Sequence, residues 1–192
     1  MPHRQTPSQT VGPFFGVGLT RTTASPHVLA TDRTEGQRIR IQGTVFDGAG
    51  AGVPDALVEI WQANAHGRYR HPLDNGWAAI DPSFHGFGRC PTDAAGSFAF
   101  DTVKPGAIHS GDGKLQSPHV NVIVFSRGML VHAFTRMYFS DDEHVNDPVM
   151  SLVERDRRGT LVGTRTSDAA GLIVYRWDIR LQGENETVFF DA

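Results

Sequence analysis

Alternation of polar and apolar residues with a period of two is the dominant pattern in this chain from residue 38 onward. In RIRIQGTVF, residues 38–46, Ile39 and Ile41 alternate with charged or polar neighbours, which predicts a strand with one buried face. DGAGAG then predicts a turn, and DALVEIWQ, residues 55–62, predicts a second strand. Short strands separated by turns indicate a β protein.

The second half of the chain continues this pattern. TDAAGSFAFDTV, residues 92–103, predicts a turn and a returning strand, and VNVIVFSRGMLVHAFTRMYF, residues 120–139, predicts two strands about a Ser-Arg-Gly turn. GLIVYRWDIRL and ETVFF predict closing strands, while DPVMSLVERDRR, residues 147–158, has apolar residues at helical spacing and predicts one short helix. Seven or eight strands with irregular connections indicate an all-β fold, a β-sandwich.

Two segments lack any sustained period. Residues 1–34 carry four prolines and the apolar stretch TVGPFFGVGL, so we expect an extended N-terminal arm that lies on a surface. Residues 35–192 are then the predicted sandwich domain. Within it, residues 63–91 form an excursion rich in Gly, Pro, Asn and Asp. Loops of this length in a compact domain tend to be functional.

Composition narrows the classes of function. The 192 residues, 39% of them hydrophobic, are enough for one domain with a sizeable core. The net charge of -3 comes from interspersed charges without a Lys/Arg block, so we expect no nucleic-acid partner. No segment has the pattern of a signal peptide or a membrane span. The single Cys90 fits a reducing, cytoplasmic compartment, and we expect it to be buried or half-buried.

SPHVNVIVF, residues 117–125, places two candidate side chains on one strand face. His119 and Asn121 lie two residues apart, so both point to the same side, as two ligands of one metal ion would. Only the imidazole is a good ligand, and no histidine or cysteine spacing typical of zinc accompanies it. For the three tyrosines, packing in a core or an interface is expected. Arg127, at the tip of FSRGM, is either a solvated charge or a clamp for a carboxylate, and the pattern leaves both open.

Several motifs, taken in order, resemble the intradiol ring-cleaving dioxygenases over nearly the whole chain. They are TPSQTVGPFF, VPDALVEIWQANAHGRYRH, DPSFHGFGR, TDAAGSFAFDTVKPGAI, SPHVNVIVFSRG, RMYFSDD and YRWDIRLQGENETVFFD. The resemblance implies a β-sandwich core and an Fe(III) centre that activates a catechol toward O2 and cleaves the ring between its hydroxyl-bearing carbons. It also implies two tyrosines and two histidines as iron ligands, a set that suits hard Fe(III).

Three of the four ligand positions implied by the resemblance hold other residues in this chain. The first tyrosine falls where Gly76 and Trp77 stand, and the second where Ile108 stands. The His-x-His pair is represented by His119 and Asn121, and Gln116 stands where an arginine usually precedes that pair. Because a single imidazole holds Fe(III) weakly against hydrolysis, we predict that this chain ligates no metal. A further alternative is a dioxygenase that works without a partner and binds iron through other residues. The chain has only three tyrosines, all in or beside predicted strands, so this alternative is disfavoured.

The resemblance also implies a partner. It is to the alpha type of subunit, which pairs with a homologous catalytic beta chain that carries the Fe(III), and these pairs assemble into a higher oligomer. The implied reaction is cleavage of 3,4-dihydroxybenzoate with O2 to 3-carboxy-cis,cis-muconate. Thr10, Gly12 and Pro13 would line the partner's pocket from the arm, and Arg127 would face the anionic substrate.

An alternative comes from another class of protein. GTVFDGAGAGVPDALVEIW followed by TDAAGSFAF also resembles the transthyretin-like β-sandwich modules that serve as accessory binding domains. That resemblance implies a non-enzymatic binding module. The N-terminal arm and the KPG segment are not expected of such modules.

Overall fold

The computed structural model describes residues 7–12, 15–20, 27–74, 76, 81, 83–109, 113–144 and 146–191. Within these ranges the chain forms one short α-helix, eleven strands and two 3₁₀ helices. The helix and strands are α1 Phe15–Leu19, β1 Arg38–Phe46, β2 Leu57–Gln62, β3 Phe87–Pro91, β4 Ser97–Val103, β5 Ile108–His109, β6 Leu115–Gln116, β7 His119–Phe125, β8 Ala133–Phe139, β9 Val162–Ser167, β10 Ile173–Arg176 and β11 Ile179–Arg180. The 3₁₀ helices are Met150–Leu152 and Arg158–Leu161.

One continuous path of paired strands builds a sandwich. The order is β11, β1, β10, β9, β8, β7, β2 and β3, with β4 paired to β1 off this path. β9 joins the two halves because its start pairs with β8 and its remainder pairs with β10. A single core cluster contains Ile39 and Phe100 from one half and Val58 and Val122 from the other. The two halves therefore face each other, and the all-β prediction is confirmed.

Gly43 allows β1 to change neighbours along its length. Residues 39–42 pair with β10, residues 45–46 pair with β11, and the Trp177 amide between them donates to the Gln42 carbonyl at 2.9 Å. A Cβ on Gly43 would lie 1.7 Å from the Trp177 carbonyl oxygen. Since that neighbour is backbone rather than a movable side chain, glycine is required at this crossing.

Most of the predicted strands are confirmed, but two predictions were wrong. The excursion over residues 63–91 ends in β3, which pairs with β2. Its Gly88 looks like a turn residue, yet a Cβ there would meet the Leu29 side chain at 2.6 Å, so the glycine is a packing requirement of the sheet. ETVFF does not form a strand. In the described part of the chain, its only β-type pairing is an isolated bridge between Phe190 and Phe134.

The helix predicted in residues 147–158 is shorter than expected. The Asp147 carboxylate accepts the amides of Val149 and Met150 at 2.9 and 2.8 Å and starts a 3₁₀ helix. Val153 then becomes extended, with φ -89° and ψ 134°, so the turn does not continue as an α-helix.

The predicted packing of Tyr138 and Tyr175 is confirmed by the burial of both side chains.

The predicted arm is not extended throughout. Residues Phe15–Leu19 form α1, in which the Thr20 amide donates to the Gly16 carbonyl at 2.8 Å. Farther along, Val28 pairs with Asp101 of β4, and Leu29 is buried in the core. The domain boundary at residue 34 stays a prediction.

Two smaller expectations also have a structural outcome. Cys90 is half-buried, as predicted. Within the ranges that the structure describes, no helix is long and apolar enough to cross a membrane. A cytoplasmic location stays a prediction.

Candidate functional site

The outer face of β7 carries the two residues of the His-x-Asn motif. The valines of this strand point into the sandwich core, so His119 and Asn121 lie on the opposite side. In the register of β7 and β8, His119 is opposite Tyr138 and Asn121 is opposite Arg136. An imidazole, a carboxamide, a phenol and a guanidinium therefore share one face of the sheet.

His119 is buried and neutral. Its Nδ1 lies 2.8 Å from the Ser117 carbonyl oxygen, so Nδ1 carries the proton and Nε2 holds the lone pair. Burial is the main cause that lowers the pKa of His119 from 6.5 to about 4, and the charge of Arg136 acts in the same direction. A backbone acceptor on one ring nitrogen is the arrangement that orients metal-binding histidines. His119 thus keeps the orientation of a ligand.

The side chain of Asn121 is hydrogen-bonded to a tyrosine and is not oriented to coordinate a metal ion. Its Nδ2 donates to the Tyr69 hydroxyl at 3.0 Å, and its Oδ1 is buried without a hydrogen-bond partner in the described ranges. Burial raises the pKa of the Tyr69 phenol above its usual 10. The phenol is therefore protonated at neutral pH. Sequence reasoning gave Tyr69 only a packing role, which it also has against Trp61, with ring centroids 5.1 Å apart.

A tight turn brings Tyr69 to this face. The Asn64 Oδ1 accepts the amides of His66 and Arg68 at 3.0 Å each. Gly67 adopts φ 71°, and a Cβ there would lie 1.9 Å from the Ala107 carbonyl oxygen. Only glycine fits both the positive φ and this close approach, so the turn packs directly against the segment before β5.

Arg136 is a site residue that sequence reasoning missed. It donates from a guanidinium nitrogen to the Gln116 Oε1 at 2.8 Å. Gln116 pairs with Ile108 in the β5–β6 hairpin, so this hairpin carries the expected second tyrosine position to the edge of the same cluster. Arg136 could have been found from the sequence by pairing the two strands, because it lies opposite Asn121. That pairing is correct only if the length of the β7–β8 connection is known.

The donor atoms of this cluster do not fit a resident Fe(III). Ile108 has no donor atom, Asn121 turns its amino group toward Tyr69, and of the expected set only His119 offers a ligand atom. Gly76 has no side chain, and the neighbouring Trp77 lies outside the described residues.

The charges of the cluster oppose a cation as well. The Arg136 guanidinium carries a permanent positive charge on the same face as His119. Over the parts of the chain that the structure describes, no three His, Cys, Asp or Glu side chains are grouped as a metal site would need. Neither the donor set nor the charge therefore suits a metal ion here.

Arg127, another predicted site residue, lies at the opposite end of β7. Because strands rise about 3.3 Å per residue, roughly 20 Å separates His119 from Phe125 at the far end. Arg127 follows that end, in a turn, with its side chain 74% exposed. Its Nε contacts the Asp55 Oδ2 at 2.5 Å, and both partners are accessible to solvent. Arg127 is therefore remote from the His119 cluster of its own chain.

The N-terminal arm reaches this same end. The Gly12 carbonyl accepts the Phe15 amide at 3.0 Å, and the Phe15 ring packs on Phe125 with centroids 5.5 Å apart. Thr10 and Gly12 are exposed, and Pro13 lies outside the described residues. The structure thus brings the arm and Arg127 to one exposed end of the sheet.

Comparison with known proteins agrees with the fold and with these motifs. Residues 10–183 match the family described as Dioxygenase. The protocatechuate 3,4-dioxygenase alpha chain of Burkholderia cepacia is 42% identical over 98% of both chains, and the beta chain from that organism is 37% identical over 79% of this chain and 67% of its own length. The solved dioxygenase domain of a carbohydrate-binding fusion from Streptomyces sp. SirexAA-E, 24% identical, has a TM-score of 0.60 over 94% of this chain and 99% of its own, which supports the fold.

The β-sandwich fold, the series of motifs and these relatives together show that the chain is a dioxygenase subunit. The chain belongs to the intradiol dioxygenase family, which confirms the resemblance drawn from its motifs. Members of the family depend on iron in general. Similarity to both an alpha and a beta chain suggests a heteromeric arrangement, and the transthyretin-like binding module is not favoured.

Proposed function

We propose that this chain is the alpha subunit of a protocatechuate 3,4-dioxygenase. In this proposal it pairs with a homologous beta chain that holds the Fe(III), and the pairs assemble into a higher oligomer. The substrates are 3,4-dihydroxybenzoate and O2, and the product is 3-carboxy-cis,cis-muconate. This chain shapes the active site and is inactive alone.

One observation carries the proposal: the positions that would hold iron ligands are occupied by other residues, in a chain that matches an alpha chain over 98% of its length. Ile108 and Asn121 stand where the family resemblance expects ligands, and Arg136 adds a positive charge beside them. A catalytic site on this chain would lack both phenolates and one imidazole. The similarity to a beta chain supports a partner built on the same fold, which can supply the complete ligand set.

The exposed end of the sheet gives this chain a role in the partner's site. Arg127 is too far from its own His119 cluster to serve a reaction there, so it acts on a substrate held by the partner. The backbone of Thr10, Gly12 and Pro13 forms a wall of that pocket and excludes water from one side of the ring. Fe(III) on the partner supplies the activation of the catechol toward O2.

Arg127 binds the substrate carboxylate in this proposal. A guanidinium forms charge-assisted hydrogen bonds with a carboxylate, and its planar shape also orients the ring to which the carboxylate is attached. Arg127 already holds one carboxylate, that of Asp55, at 2.5 Å. The substrate therefore shares or replaces that contact when it binds.

Coexpression with the catalytic homologue tests the proposed function. We expect the two chains to copurify in equal amounts and to cleave 3,4-dihydroxybenzoate, measured as O2 uptake and loss of substrate absorbance. Each chain purified alone serves as the control. Ring cleavage by this chain alone, or a beta chain whose full activity needs no second subunit, would overturn the proposal.

Replacing Arg127 should weaken substrate binding. We expect Arg127→Ala in the complex to raise KM for 3,4-dihydroxybenzoate about tenfold or somewhat more, since a charge-assisted hydrogen bond contributes roughly 1.5 to 3 kcal/mol. The kcat should change little, because the contact acts about equally on the bound substrate and the transition state. Steady-state kinetics with catechol, which has no carboxylate, is the internal control and should show almost no effect.

Asp55→Asn distinguishes the two roles that Arg127 could have. It removes the ion pair but leaves the guanidinium, so KM should stay the same or fall if Arg127 binds substrate.

Added salt should raise the KM of the unmodified complex, because the contact between Arg127 and the substrate carboxylate is partly exposed. If Asp55→Asn and Arg127→Ala raised KM equally, or if catechol turnover fell as much as that of the acid, the ion pair would be structural and Arg127 would not be a substrate ligand.

A further inference from the structure

A cavity of about 330 Å³ lies on the outer face of the sheet, beside the Asn121 and Arg136 pair. Its apolar walls include Trp61, Phe87, Ile123 and Phe134, and its polar walls include Asn121 and Arg136. This volume is at the lower end of the range for small-molecule sites, about 300 to 1,000 Å³. Trp61 and Phe87 are 41% and 38% exposed, so the aromatic side of the cavity is open to solvent.

In the described part of the chain, the cavity carries one positive charge, that of Arg136, which has no direct ion-pair partner. The Arg136 guanidinium is hydrogen-bonded to the neutral Gln116 amide and contacts Tyr138, whose hydroxyl donates to the buried Asp147 carboxylate at 3.0 Å. No ion pair of the described residues includes Arg136 itself. The other charged group in the wall, Glu59, is held by Arg89, with Nε and Oε1 2.6 Å apart. A bound anion would therefore give the Arg136 guanidinium a direct ionic partner on its cavity side.

The walls restrict what kind of anion fits. Trp61 and Phe87 lie opposite each other in the β2–β3 register and give the wall an aromatic surface, against which another aromatic ring can pack. A single ring that lies against both side chains can direct a carboxylate to Arg136, while a hydrated inorganic anion would leave the apolar walls wet.

We propose that this cavity is a metal-independent binding site for a small aromatic monocarboxylate. The ring lies against Trp61 and Phe87, and the carboxylate pairs with Arg136. This site is separate from the pocket that the arm and Arg127 serve, since those lie at the far end of β7. Binding involves no covalent step, and the site requires neither iron nor a partner chain.

Equilibrium dialysis of radiolabelled benzoate against the purified full-length chain, free of metal, tests the site. We expect saturable binding of one benzoate per chain. Benzamide, which has the same ring but no charge, should compete about tenfold more weakly or worse. This comparison needs no mutation, so it holds even if a variant fails to fold.

Variants locate the site on the molecule. Arg136→Gln should weaken benzoate binding about tenfold or more, and the matched control Arg165→Gln, on neighbouring β9 with a half-exposed side chain, should bind as the unmodified chain does. Circular dichroism and thermal unfolding establish that each variant is folded. No saturable benzoate binding, equal competition by benzamide, or unchanged binding by folded Arg136→Gln would each overturn the proposal. These outcomes leave the proposed subunit role untouched, because that role is tested with the complex.

Discussion

A complex built with this chain lacking residues 1–13 is expected to lose ring-cleavage activity by roughly a hundredfold while the sandwich keeps its stability. The deletion removes Thr10, Gly12 and Pro13, which form a wall of the partner's pocket in our proposal. Small misplacements of a bound substrate cost on the order of a hundredfold in rate, and an open wall also admits water.

The stability expectation follows from where the arm lies. Of the residues described before Phe15, all are exposed except Val11, which is half-buried, and none belongs to the core cluster. The contact of Phe15 with Phe125 remains after the deletion. The core begins with Leu29, which is also retained.

Activity of the complex and urea unfolding of the chain measure the two effects separately. Deletion of residues 1–6 is the matched control, since it shortens the arm but keeps Thr10, Gly12 and Pro13, and it should retain activity. A truncated complex lacking residues 1–13 with full activity would refute the role of the arm. A large loss of stability would instead show that the arm is part of the fold.

Acidification from pH 6.5 to pH 4 is expected to destabilise the chain by up to about 3 kcal/mol through His119 alone. In the folded chain this imidazole has its pKa lowered from 6.5 to about 4. Between these values the unfolded chain binds a proton that the folded chain does not. The free energy of unfolding therefore falls as the pH falls through this window, and below about pH 4 the contribution no longer changes.

His119→Asn isolates this contribution. The asparagine amide can still donate to the Ser117 carbonyl, so the backbone contact at 2.8 Å has a replacement donor. The variant should be less stable than the unmodified chain at pH 7, because the smaller side chain leaves a void, but its stability should fall less between pH 6.5 and 4.

Urea unfolding at pH 7, 6, 5 and 4 gives the comparison. His109→Asn replaces an exposed histidine of β5 and is the matched control for the loss of an imidazole. If His119→Asn and the unmodified chain lost stability in parallel, His119 would not be the buried neutral imidazole that the structure shows.

The strands that could be predicted are those whose own residues alternate. β1 and β7 place every second side chain in the core, so a period of two is visible in the sequence. β9 was missed because only Gly163 in it is buried, and its conformation depends on pairing with β8 and β10. β5 and β6 have two residues each and are too short to show any period.

The candidate site was predictable along one strand but not across strands. Alternation placed His119 and Asn121 on one face, yet the Ser-Arg-Gly turn suggested too short a connection. A turn of residues 126–128 would set Ala133 opposite Asn121, whereas the actual connection runs to residue 132 and sets Arg136 there. Tyr69 arrives from a loop whose path depends on tertiary contacts of Gly67, which no local pattern encodes.

Iron content of the isolated chain tests most directly whether this subunit leaves the metal to its partner. We expect metal analysis of the chain purified alone to find no stoichiometric iron, and its visible spectrum to lack the absorption of phenolate bound to Fe(III). Asn121→His should leave both results unchanged, since it returns one neutral ligand and no phenolate beside Arg136. The coexpressed pair should contain iron and show that absorption. One tightly bound Fe(III) per isolated chain would contradict the account.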